Sequence, residues 1–265
     1  MKFEGIYTPA ITPLSADGSI DTQAFAEVLE FLVESKVHGI VIGGSTGEYY
    51  AHTAEERLAL AAHASEVIAG RLPLVVGTGA IRTEDSLAYA EAARAIGADA
   101  ILVGSPPYAL PTSREIAEHV LAVDRAAGLP IMLYNYPARM GVEMDEAFFA
   151  AVAGCRNIVA IKESSGSTAQ LHRLACRHPR IALSCGWDDQ ALEFFAWGAR
   201  SWVCAGSNFI PGEHLALYQA CVVENDFAKR APLKALDEAG KAALAEIVAR
   251  LKGEVARIVE GGRHD

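Results

Sequence analysis

An amine, a phenol, neighbouring hydroxyls and a guanidinium all stand beside short apolar runs in this chain. Lys162 closes the run Asn157-Ile158-Val159-Ala160-Ile161-Lys162 and is followed at once by Glu163-Ser164-Ser165-Gly166. The β-branched run reads as a buried strand, which puts an amine at the rim of a sheet. Lysine is seldom placed in apolar surroundings unless it is paired or used. Desolvation there lowers its pKa and supplies neutral amine near neutral pH. Such an amine can attack a ketone and form a Schiff base. A strand-end lysine also suits a snorkelling side chain or an ion pair, so Lys162 alone does not decide the chemistry.

Two further segments supply partners for the amine. Gly43-Gly44-Ser45-Thr46-Gly47-Glu48 follows the apolar run Gly39-Ile40-Val41-Ile42, and Tyr134-Asn135-Tyr136-Pro137-Ala138-Arg139-Met140-Gly141 follows Pro130-Ile131-Met132-Leu133. In the first, glycines let backbone N–H groups approach an anion while Ser45 and Thr46 add hydroxyl donors. This suits a carboxylate. In the second, the Tyr134 phenol can move protons beside the lysine, and the Arg139 guanidinium can clamp a carboxylate through two hydrogen bonds. No H-E-x-x-H or close His/carboxylate spacing and no G-x-x-x-x-G-K loop is present. The reading therefore includes no metal and no cofactor.

The elements that must carry these residues alternate. Apolar runs at 6–11, 39–42, 73–77, 99–103, 130–134, 157–162, 180–184 and 201–205 read as strands. Helical patterns lie near 21–36, 53–69, 83–96, 113–127, 145–153, 168–177, 188–197 and 212–224. Thr53 with Glu56 forms a capping-box signature, and Asp21, Thr83, Thr112 and Asp145 are further cap candidates. This alternation predicts a (β/α)8 TIM barrel followed by a short C-terminal helical extension. A doubly wound open sheet is the competing architecture. It ordinarily carries a glycine-rich turn after its first strand, and Tyr7-Thr8-Pro9-Ala10-Ile11 has none. In a barrel the chemistry sits at the C-terminal ends of the strands. Ser45, Thr46, Tyr108, Tyr134 and Lys162 all fall there.

Composition narrows the class. The chain has 265 residues, a formal net charge of −10 and 51% hydrophobic residues. An acidic balance argues against non-specific nucleic-acid binding but permits a local anion site. No stretch is apolar and long enough to span a bilayer. The start, Met1-Lys2-Phe3-Glu4-Gly5, enters the first strand without a signal-peptide pattern, so the expected location is cytoplasmic. Five scattered cysteines, none in a C-x-x-C pair, read as reduced thiols.

Four segments, GGSTGE at 43–48, GSPPY at 104–108, YNYPARMG at 134–141 and IKESSG at 161–166, together resemble the dihydrodipicolinate synthase and N-acetylneuraminate lyase family of Schiff-base aldolases. The similarity runs from about Gly5 to about Phe227. It implies that Lys162 forms an imine with pyruvate or another 2-keto acid, that Tyr134 shuttles protons, and that Ser45 and Tyr108 complete the relay. Tyr108 would reach a neighbouring subunit's pocket, which implies a homodimer or homotetramer. Thr46 would hold the 2-keto acid carboxylate, and Glu48 would brace the loop. Arg139 would bind the carboxylate of an aldehyde partner, as in the synthase branch. Gly186, after strand seven, and Cys204, closing strand eight, would line the substrate.

The chain also departs from the family. Ser45 stands where the synthases usually carry threonine, Met140 where they commonly carry threonine, and Tyr49-Tyr50-Ala51 and Cys185-Gly186-Trp187-Asp188-Asp189 differ from the usual synthase pattern. The activity expected is a synthase-like condensation of pyruvate with a carboxylated aldehyde. A 2-keto-3-deoxy sugar acid aldolase or dehydratase using the same imine is the alternative, and a non-catalytic 2-keto acid binding barrel is the alternative of another class. The expected organisation is a catalytic barrel over 1–225 and a helical segment over 226–265. That segment lacks roughly 40 residues relative to typical domains of this fold.

Overall fold

The computed structural model describes residues 1–224 together with 239, 242, 243, 245–247, 249 and 250. The expected C-terminal helical segment and its shortening lie almost wholly outside the described residues.

The strands are β1 (Gly5–Pro9), β2 (Gly39–Ile42), β3 (Leu74–Gly77), β4 (Ala100–Gly104), β5 (Ile131–Asn135), β6 (Ile158–Glu163), β7 (Ala182–Cys185) and β8 (Ser201–Val203). They pair in parallel, in sequence order, and β8 returns to β1 to close the barrel. The open-sheet alternative is thereby excluded. Between the strands run α1 (Thr22–Glu34), α2 (Ala54–Ile68), α3 (Thr83–Ala95), α4 (Ser113–Ala127), α5 (Pro137–Met140), α6 (Glu146–Val152), α7 (Thr168–Arg177) and α8 (Ala191–Ala196), and α9 (Pro211–Tyr218) follows β8.

The caps show why the helices start where they do. Asp21 accepts from Ala24 N–H and Asp145 from Phe148 N–H. Thr53 with Glu56, and Thr112 with Glu115, form complete capping boxes. Thr83 departs from expectation: it lies inside α3, Arg82 takes the cap position, and the Thr83 hydroxyl meets His119 Nδ1 at 3.0 Å instead. The segment expected as one helix over 188–197 is a 3-10 turn at Asp188–Gln190 followed by α8. The last expected helix, 212–224, ends as α9 and passes into a π-helical stretch, Gln219–Glu224.

Two apolar layers follow from the pleat, because alternate side chains of a strand face opposite sides. Ile131, Leu133 and Ile161 join the layer between the strands and helices. Met132, Tyr134 and Ala160 face the barrel interior with Tyr7, Val41, Val75, Leu102 and Val203. Lys162 has the parity of Ala160 and is the register partner of Tyr134. The same pleat therefore aims the amine and the phenol inward together. The ring is least extensively paired between β7 and β8, where only Ser184–Ser201 and Cys185–Trp202 are in register. The hydroxyls of Ser184 and Ser201 are both buried there without a hydrogen-bond partner.

Candidate active site

Lys162 is the penultimate residue of β6, not its last; Glu163 completes the strand. The extra residue has a structural use. Glu163 is buried, and its carboxylate accepts from Asn135 Nδ2 at 2.8 Å and from Ser165 N–H at 2.6 Å. Asn135 in turn accepts from Met144 N–H at 3.0 Å. This ties the ends of β5 and β6 to each other and to the approach of α6. Burial pushes the Glu163 carboxyl upward, and its bonds to Asn135 and Ser165 oppose that shift.

The Lys162 side chain is only 8% exposed. Burial lowers its pKa from 10.5 to about 8; nearby Asp188 and Cys185 favour the charged form, and Arg139 disfavours it. Its Nζ lies 4.4 Å from the centroid of the Tyr134 ring. The Tyr134 phenol is pushed up to about 12 by burial and is partly restrained by a hydrogen bond with the Ser45 side chain. The expected chain of amine, phenol and hydroxyl is thus assembled from the ends of β2, β5 and β6. At neutral pH the lysine has an accessible neutral form while the phenol keeps its proton.

Gly186 follows β7 and packs against the lysine stem. A Cβ at this position would collide with Ser164 Oγ and stand 2.8 Å from the Glu163 carbonyl oxygen and 3.1 Å from Lys162 Cγ. Glycine is the residue that lets β7 come this close.

Ser45 and Thr46 are both partly buried in the turn after β2. Glu48 braces that turn through its backbone. It is exposed, has a left-handed φ of 55°, and donates its N–H to the Ser45 carbonyl at 3.2 Å. Arg57 anchors the neighbouring segment, donating to the carbonyls of Gly77 and Gly79 at 3.0 and 2.8 Å beside the Tyr89 ring.

Arg139 lies on α5, a single helical turn outside the helical patterns read from the sequence. Its side chain is exposed and hydrogen-bonded to the Tyr136 side chain, with the guanidinium carbon 5.3 Å from that ring's centroid. Tyr136 carries no role in the sequence reading, although it sits two residues after Tyr134 in the same segment. Trp187 closes the opposite side, its ring 5.5 Å from Tyr136 in an edge-on arrangement. Tyr108 does not join this cluster. It is 88% exposed with a left-handed φ of 69°, projecting from the loop after β4.

Cys204 is buried behind β8 and does not present a free thiolate. Burial, followed by the charge of Asp188, pushes its thiol far above the ordinary range. Asp188, Cys204 and His214 bring potential metal-ligating atoms within 4.8 Å of one another. No spacing in the sequence signals this grouping, because the three residues come from separate elements. Asp188 already accepts from Trp202 Nε1 and from Gly206 N–H, each at 3.0 Å. His214 Nδ1 lies 2.8 Å from the Ile210 carbonyl oxygen. The cluster buttresses the turn that carries Trp187 and sets a negative charge near the lysine.

Comparison with known proteins agrees with the barrel fold. Residues 2–248 match the Dihydrodipicolinate synthetase family. A 4-hydroxy-tetrahydrodipicolinate synthase of Stenotrophomonas maltophilia (strain K279a) is 38% identical over 215 residues, covering 81% of this chain and 72% of the relative. The crystal structure of dihydrodipicolinate synthase from Aquifex aeolicus superposes with a TM-score of 0.81 at 32% identity, covering 85% of this chain and 77% of that one. A prophage protein of the dihydrodipicolinic acid synthase family from E. coli K12, solved in complex with pyruvate, gives a TM-score of 0.81 at 27% identity and covers 94% and 99%.

Proposed function

The chain belongs to the dihydrodipicolinate synthetase family, and we propose that it is a Schiff-base lyase with 4-hydroxy-tetrahydrodipicolinate synthase-like activity, condensing pyruvate with a carboxylated aldehyde. The observation that carries this reading is the buried Lys162 amine, brought down to about pKa 8, 4.4 Å from the ring of Tyr134.

The neutral amine attacks the C2 carbonyl of pyruvate. The Tyr134 phenol gives its proton to the departing hydroxyl, so water leaves and the imine forms. The phenolate then takes a proton from C3 and the electron pair becomes an enamine. The enamine carbon attacks the aldehyde, the new alkoxide is protonated through Tyr134 and Ser45, and water releases the product from Lys162. Ser45 and Thr46 hold the pyruvate carboxylate, Arg139 holds that of the aldehyde, and Gly186 shapes the wall, with Cys204 packed behind it in the layer between strands and helices. The catalytic unit is the barrel over 1–225, acting as a homodimer or homotetramer in which Tyr108 serves a neighbouring subunit. The five unpaired cysteines fit a reducing, cytoplasmic location. Among the described residues no helix is long and apolar enough to cross a membrane.

The test is borohydride trapping with pyruvate, with the adduct mapped by mass spectrometry. An adduct on Lys162 that disappears in Lys162→Ala supports the imine; trapping elsewhere, or none, overturns it. For the second substrate, Arg139→Ala is expected to lower kcat/KM for a carboxylated aldehyde by about tenfold to a hundredfold, the worth of a charge-assisted bidentate contact. Equal loss on neutral aldehydes would make Arg139 structural.

A further inference from the structure

We infer that Tyr136 and Trp187 form the acceptor wall of this site and select hydroxyl-poor aldehydes over polyhydroxylated ones. The inference deepens the imine reading of Lys162 and rests on it.

The two aromatic residues follow β5 and β7, the strands on either side of β6. Their rings stand edge to face at 5.5 Å, and the Tyr136 ring is 5.7 Å from that of Tyr134. A continuous aromatic surface therefore runs from the phenol beside the amine to the opposite rim. An acceptor that brings its carbonyl to an enamine on Lys162 lies against this surface.

Most polar atoms around that surface are engaged within the protein, and the unpartnered Ser164 hydroxyl is buried out of a substrate's reach. Trp187 Nε1 donates to the Ser164 carbonyl at 2.7 Å. The Tyr136 side chain is hydrogen-bonded to Arg139. Both Asp188 oxygens accept from the protein, one from Trp202 and one from Gly206. A substrate hydroxyl pressed on these rings loses water without gaining a partner, which is unfavourable. A methylene chain gains from the same contact. The guanidinium, by contrast, has donors left over after its bond to Tyr136, and these remain available to a carboxylate. Tyr136 thus serves twice, as a wall and as a positioning residue that holds Arg139.

The test compares kcat/KM on matched acceptors with pyruvate as donor. Propanal against D-glyceraldehyde differs only in hydroxyls; succinic semialdehyde against butanal differs in the terminal carboxylate. Each protein is first checked for a borohydride-trapped pyruvate adduct on Lys162, which reports the imine separately. In the unaltered protein propanal should exceed D-glyceraldehyde by about tenfold or more. Tyr136→Ala and Trp187→Ala should bring that ratio toward unity. Tyr136→Phe keeps the ring, so it should preserve the hydroxyl discrimination and raise KM for succinic semialdehyde severalfold more than for butanal. A preference for D-glyceraldehyde in the unaltered protein overturns the inference, even if the variants do not fold. So does an unchanged ratio in alanine variants that still trap pyruvate. Absence of the adduct in the unaltered protein removes the imine reading and this inference with it.

Discussion

At the scale of single residues, the site depends on one amine held against its own solvation preference. Burial keeps Lys162 at about pKa 8, below its ordinary 10.5. The rate of imine trapping should therefore rise with pH and level off above about 8, instead of climbing toward 10.5. The same shift has a thermodynamic side. Between about pH 8 and 10.5 the unfolded chain binds more proton at this amine than the native protein does, so stability rises with pH across that window. Below about pH 8 the native state carries the full unfavourable contribution. Lys162→Met removes it and should stabilise the protein at pH 7 by up to about 3 kcal/mol while abolishing the pyruvate adduct. Urea denaturation at pH 7 and at pH 10 checks this, with the gain shrinking at the higher pH. Lys162, Tyr134 and Ser45 were legible in the sequence because each stands beside an apolar run that fixes its direction. Tyr136 and Asp188 were not. Their roles come from the neighbours they meet, Arg139 and Trp187 for one, Trp202 and Gly206 for the other.

At the scale of elements, β5 and β6 are held in register at their catalytic ends by a buried polar link. Glu163 receives two N–H donors, from Asn135 and Ser165, on different carboxylate oxygens. Glu163→Gln turns one acceptor into a donor facing another N–H. It should cost about 1–3 kcal/mol, read by urea denaturation, with loss of activity as Tyr134 and Lys162 lose their shared frame. A small change in size produces the effect, which separates it from a cavity. The strand runs were visible because apolar, β-branched stretches at regular intervals have few alternatives. Boundaries were less so. β6 runs one residue further than its apolar stretch, because Glu163 is buried by a partner 28 positions away. α5 is a single turn that starts on Pro137 and is capped by Gly141 at a φ of 73°, too short for periodicity to reveal.

At the scale of the whole molecule, Tyr108 is the residue that the isolated chain leaves outside its own pocket. An exposed tyrosine held at positive φ fits a side chain offered to another copy. Tyr108→Ala and Lys162→Ala should each be inactive alone, and mixtures refolded together should recover part of the activity if the tyrosine serves the neighbouring site. Sedimentation should give a mass above the 28.1 kDa of one chain; a monomer with full activity would show that Tyr108 is not shared. The barrel also has a weakest seam, and this bears on how the protein opens over time. β8 is three residues long, meets β7 at only two register positions, and joins β1 from the far end of the barrel sequence, Ser201 opposite Gly5. Segments with the least pairing and the most distant partners open first and exchange their amide hydrogens soonest. Deuterium should therefore enter Ser201–Val203 before the other strands, while the amides of β5 and β6 stay protected. The catalytic pair would then persist through the commonest local openings, and the ring would breathe at a seam one strand beyond β6.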